Sequence, residues 1–70
     1  MNMQPVTSSN VAAVGYDADT LTLAVEFLNG STYHYSNVSE ATFNDLLNAE
    51  SVGKYLNMMI KPYRAYTQVS

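Results

Sequence analysis

The sequence predicts a small α+β domain, an antiparallel three-stranded meander followed by two helices packed on one face of the sheet. Three observations predict it. Leu21, Leu23, Val25 and Phe27 alternate with Thr20, Thr22, Ala24 and Glu26, the period of two that a half-buried strand requires. Asn29-Gly30 then marks a hairpin into Thr32-Tyr33-His34-Tyr35. Val52, Tyr55, Leu56, Met59, Ile60 and Tyr63 recur at i, i+3, i+4, i+7, i+8 and i+11, the stripe of one helical face.

In chain order, residues 1–8 are expected to be flexible. Asn10 to Tyr16 reads as the first strand, and Asp17-Ala18-Asp19 supplies turn chemistry to the second. Val11 and Val14 differ in parity, so the facing of the first strand stays open, with Gly15 as a candidate bulge. Two loops fit the next hairpin. A two-residue Asn29-Gly30 turn would pair Val25 with His34 and leave Tyr33 and Tyr35 exposed. A three-residue Leu28-Asn29-Gly30 loop, with Gly30 in the left-handed position, pairs Val25 with Tyr33 and Leu23 with Tyr35. The second loop is preferred because it gives one apolar face. It leaves Thr22, Ala24, Glu26, Thr32 and His34 on the solvent side.

Ser39 is a good N-cap, Glu40 suits the positive end of the helix dipole, and Val38 can staple onto Phe43. Phe43, Leu46 and Leu47 stripe this first helix, which should end near Ala49. Ser51 caps the second helix, and Pro62 should stop regular helix near Lys61. Residues 64–70 are expected as a short edge strand or a tail.

Composition narrows the function. At 70 residues the chain is one domain, which buries only about 60% of the surface its unfolded form exposes and leaves little room for a deep cleft. With 47% hydrophobic and 13% charged residues it should fold, without cysteine for disulfides and with a single histidine. Neither a metal site nor a cofactor is expected. His34 has no partner that would make a nucleophile of one of the serines, and Asp17 and Asp19 read as turn residues, so no enzyme is expected. No stretch approaches the roughly 20 apolar residues of a membrane span, and no secretory signal opens the chain, so the cytoplasm is the expected compartment.

All six acids lie in the first fifty residues and all three bases, Lys54, Lys61 and Arg64, in the last twenty. This asymmetry points to one face for an anion. Ser51-Val52-Gly53-Lys54 offers backbone donors, a close approach at Gly53 and one point charge. Lys54 and Lys61 share a helical face, and Tyr63, Arg64 and Tyr66 lie just beyond. Together these seven residues, Ser51, Gly53, Lys54, Lys61, Tyr63, Arg64 and Tyr66, could hold a phosphate and a stacked base.

The succession Ser9…Val11…Gly15-Tyr16-Asp17, Leu23-x-Val25-x-Phe27, Gly30-x-x-Tyr33-x-Tyr35, Ala49-x-Ser51-x-Gly53-x-Tyr55-x-Asn57 and Ile60…Tyr63 resembles the KTSC domain. That family takes its name from the C-terminal extension of some lysyl-tRNA synthetases and includes free-standing bacterial and phage proteins. The resemblance spans residues 7–63. It implies a link to RNA and singles out Tyr33, Tyr35 and Tyr55 as motif aromatics, without assigning them a role. The net charge of −3 departs from a general RNA binder.

The expectation is a non-enzymatic module that binds a nucleotide or short RNA through its C-terminal basic and aromatic segment. Two alternatives stand beside it. One is a protein-interaction or inhibitor module using Met58, Tyr66 or the sheet edge; the other is a small self-associating structural domain. A homo-oligomer is expected, and it can coexist with all three.

Overall fold

The computed structural model describes residues 1–70 and shows five antiparallel strands in sequential order with two helices after the fourth. The strands are β1 (Met3–Pro5), β2 (Val11–Asp17), β3 (Thr22–Phe27), β4 (Thr32–Tyr35) and β5 (Tyr66–Gln68). Helix α1 spans Glu40–Leu47, and helix α2 spans Val52–Tyr55 and runs on into a π turn at Leu56–Ile60. The α+β class and the central meander agree with expectation; the sheet has two strands more than the three expected.

Both additions are at the edges. The N-terminal residues, expected to be flexible, pair as β1 with Ala13–Gly15 of β2. This pairing uses Gly15, because a Cβ there would stand 2.7 Å from the Met3 sulfur and 2.8 Å from the Asn2 carbonyl oxygen. Pro5 is tolerated because an edge strand leaves its missing N–H without a ladder partner to lose. At the other edge, β5 takes the strand alternative for the tail, with Tyr66 opposite Tyr35 and Gln68 opposite Tyr33.

The parity of the first strand resolves at a bulge before Gly15. Val11 opposes Phe27 and Ala13 opposes Glu26, so Ala12 is the extra residue. One inserted residue reverses the alternation, and Val11 and Val14 therefore both reach the core. The next hairpin has the three-residue loop. Gly30 adopts φ 93°, Gly30 N–H donates to the Phe27 carbonyl at 3.0 Å, and Val25 and Leu23 oppose Tyr33 and Tyr35. Leu21, expected on the apolar face, has φ 54° and lies exposed before the strand starts. On the opposite face Glu26 is exposed, but Ala24 is buried beside Gly15, contrary to a uniformly wet face. Its small side chain is level with the glycine that Met3 covers.

Val11, Val14, Leu23, Val25 and Tyr35 of the sheet meet Val38, Leu46, Val52, Leu56 and Ile60 in one buried cluster. Ser39 caps α1 by accepting from Thr42 N–H at 3.2 Å, and Val38 is buried beneath that cap. Tyr16 stacks on Phe43 with centroids 5.0 Å apart, and its hydroxyl donates to the Val38 carbonyl. Strand β2 is thereby clamped to the start of α1.

The second helix departs from its periodic pattern. Ser51 caps it as expected, accepting from Lys54 N–H at 3.2 Å. From Leu56 the backbone widens, and Lys61 N–H donates to the Leu56 carbonyl, five residues back, at 2.9 Å. The extra residue in that turn rotates the end of the helix. Val52, Leu56 and Ile60 stay buried, whereas Met59 and Tyr63, expected in the stripe, are 51% and 68% exposed.

Gly53 is buried where α2 crosses the turn before β2. A Cβ at this position would collide with the Asn10 side chain, itself hydrogen-bonded to Ser8, with the Ser8 hydroxyl 3.4 Å away. Gly→Ala inside a helix ordinarily stabilises by about 1 kcal/mol. Here Gly53→Ala is expected to destabilise by about 1–3 kcal/mol, as overpacking does. A raised midpoint in urea unfolding would show that the Ser8–Asn10 turn yields freely.

Candidate functional site

Alternation places Tyr33 and Tyr35 on the same face of β4, and pairing with β5 sets Tyr66 directly across from Tyr35. Phe27 comes alongside because Val25 opposes Tyr33 and Phe27 is the next residue on that face of β3. The result is an aromatic cluster at the β5 side of the core. Tyr33 meets Phe27 edge-on at 5.6 Å and 83°, and Tyr66 leans over Tyr33 at 5.5 Å and over Tyr35 at 5.7 Å. Such distances are those of favourable aromatic pairs.

These rings line a cleft of about 260 Å³ that Lys61, Asn29 and Ser31 complete. Lys61 arrives from the residue after the π turn, so the irregular helix end brings a cation to the tyrosines. Asn29 is held by its own loop, its side-chain oxygen accepting from Ser31 N–H at 3.0 Å. Glu26 points away from the cleft because it occupies the opposite parity of β3. The chain is acidic overall, yet the only charged side chain lining this cleft is positive.

Tyr35 is fully buried and forms the cleft's inner wall, and its hydroxyl has no hydrogen-bond partner. Burial raises its pKa, with the neighbouring Tyr33 and Tyr66 adding to the effect. The hydroxyl therefore stays protonated through neutral pH and keeps its capacity to donate.

The residues expected to form one phosphate site are divided among three places. Lys61 and Tyr66 are in the aromatic cleft with Tyr33 and Tyr35. Ser51 and Lys54 line a separate groove of about 290 Å³ with Ala49, Glu50, Tyr55, Met58 and Met59. Tyr63 and Arg64 occupy the intervening turn, where an Arg64 guanidinium N–H donates to the Tyr63 carbonyl at 3.2 Å. The close approach at Gly53 is taken by Asn10 of the same chain, and Lys54 N–H is taken by the Ser51 cap. A wider depression of about 380 Å³ at the β2–β3 turn is lined by Asp17 and Asp19 and repels anions.

Sequence reasoning did not name Phe27, Asn29 and Ser31 as lining residues. The signal for Phe27 was present: the three-residue loop that aligns Val25 with Tyr33 also carries Phe27 to Tyr33's flank. For Lys61 the misleading signal was the regular helical spacing, which put it on the face of Lys54.

Comparison with known proteins finds one family. A model of the KTSC domain matches residues 7–66. A protein of Tsukamurella paurometabola is 48% identical over 60 residues, covering 86% of this chain and 90% of that protein. A lysine–tRNA ligase of Nostoc punctiforme is 37% identical over 62 residues, covering 89% of this chain but 11% of the ligase. The crystal structure of a KTSC domain protein from Yersinia pestis superposes with a TM-score of 0.92 at 31% identity, covering 99% of this chain and 97% of that one.

Proposed function

This chain belongs to the KTSC domain family, and from that premise we propose that it works by binding and not by catalysis, holding a nucleotide or the end of a short RNA in the aromatic cleft. The observation that carries this reading is the set Phe27, Tyr33, Tyr66 and Lys61 around one small cleft. Aromatic faces stack any base, and an ammonium beside them takes a phosphate. Lysine–tRNA ligase relatives that carry a similar segment favour RNA as the source of such a nucleotide.

Size and charge bound the ligand. The cleft is below the range of about 300–1,000 Å³ typical of drug-sized ligands, which suits a single base. One lysine neutralises one phosphate, so log affinity should fall with log salt at a slope of about −0.7 to −0.9. Long RNA would then gain little over a mononucleotide.

The test is a titration of the protein with the four nucleoside monophosphates and a short oligonucleotide, read by amide shifts and by calorimetry. Tyr66→Ala should weaken binding by the loss of a stacking face, about 1–3 kcal/mol, and Lys61→Ala by about fivefold. Lys54→Ala should leave affinity unchanged, because it lines the other groove. Equal losses in Lys54→Ala and Lys61→Ala would refute the cleft as the site. A second reading, a protein-interaction module, is favoured by the exposed Met58 and Met59 beside Tyr55. It predicts no nucleotide binding at the cleft.

A further inference from the structure

We propose that the Tyr35 hydroxyl is the specificity group of the cleft, making a hydrogen bond to a polar edge atom of the bound base. This rests on the nucleotide reading above and deepens it by assigning the contact that distinguishes a base from any other flat ring. Three features of the structure converge on this hydroxyl. It is a polar atom on a fully buried side chain, and it has no partner within the protein. The residue that carries it lines the cleft as well as the core. The neighbouring ring of Tyr66, its centroid 5.7 Å from that of Tyr35, is 57% exposed on the three-residue edge strand β5 and is the most exposed member of the cluster.

A buried hydroxyl without a partner is a net cost to the folded protein, and a phenylalanine would fill the same space without it. Retaining the oxygen makes physical sense where a ligand satisfies it. Entry of a base beside Tyr33 turns the Tyr66 ring aside, uncovers the Tyr35 hydroxyl and replaces the ring-on-ring contact by a base-on-ring contact. The hydroxyl then donates to a ring carbonyl or accepts from an exocyclic amine. Lys61 meanwhile holds the phosphate, so the nucleotide is gripped by the face of its base, the edge of its base and its phosphate charge. A site that supplies a hydrogen bond to the edge favours a ring with a polar edge atom over one that lacks it.

The experiment compares the intact protein with Tyr35→Phe, using the four nucleoside monophosphates and phenyl phosphate. Phenyl phosphate has a flat ring and a phosphate but no polar edge atom. For Tyr35→Phe we expect the melting temperature to rise by about 4 °C or more, the affinity for the preferred nucleotide to fall about tenfold, and the affinity for phenyl phosphate to stay the same. The preference among the four bases should flatten. If the intact protein binds nucleotides and Tyr35→Phe binds them equally well, the specificity role is overturned while the nucleotide site stands. If Tyr35→Phe melts several degrees lower, the hydroxyl is a structural group and the proposal fails on that ground alone. If the intact protein binds no nucleotide, the site and this assignment fall together.

Discussion

Tyr35→Ala is expected to cost about 3–5 kcal/mol of folding stability, the range for truncating a buried aromatic ring. The ring is fully buried in the central cluster with Leu23, Leu46 and Ile60, and it also supports Tyr33 and Tyr66. Small domains have about 5–15 kcal/mol in total, so this single change should remove a large share of the stability. Urea unfolding followed by tyrosine fluorescence or circular dichroism measures it. A loss below about 1 kcal/mol would contradict the placement of the ring. Tyr35→Phe, which keeps the ring, separates the contribution of packing from that of the hydroxyl; the two variants should move stability in opposite directions.

Ile60→Ala should destabilise by about 2–5 kcal/mol, whereas Met59→Ala next to it should change stability by no more than about 0.5 kcal/mol. The contrast originates in the π turn. In a regular helix, residues 59 and 60 would both border the core stripe begun by Val52 and Leu56. With Lys61 N–H bonded to the Leu56 carbonyl, Ile60 keeps its place in the cluster and Met59 turns to solvent. Comparable losses from both substitutions would mean that the helix is regular in solution. The same turn delivers Lys61 to the tyrosines, so a stability measurement also tests the geometry on which the cleft depends.

The core and the cleft are joined through the rings. Tyr35 belongs to the core and to the cleft at once, and this shared membership explains how a chain of 70 residues can present a recognition surface without a deep cavity. Tyr33 is half-buried and Tyr66 exposed, a gradation from core to surface along one aromatic cluster. Stacking surface is thereby supplied by rings already held in place by folding, which lowers the ordering cost of binding.

Local pattern by itself determined much of this protein. The alternation through Leu23, Val25 and Phe27 defined β3, Ser39 and Ser51 defined both helix starts, and the need for one apolar face selected the Leu28-Asn29-Gly30 loop, with Tyr33 and Tyr35 in register. These features depend on neighbours within a few residues, where side-chain period and capping chemistry act directly. The tertiary structure decided the rest. Strand β1 exists because β2 offers an open edge with Gly15 in it, the bulge at Ala12 exists because two valines of opposite parity must both be buried, and Gly53 is needed because Asn10 approaches it. The division of Ser51 and Lys54 from Lys61 and Tyr66 has the same origin. Helical spacing assumes a constant turn, but a hydrogen bond reaching five residues back changes the rotation before Lys61, which lines the aromatic cleft while Lys54 lines the other groove.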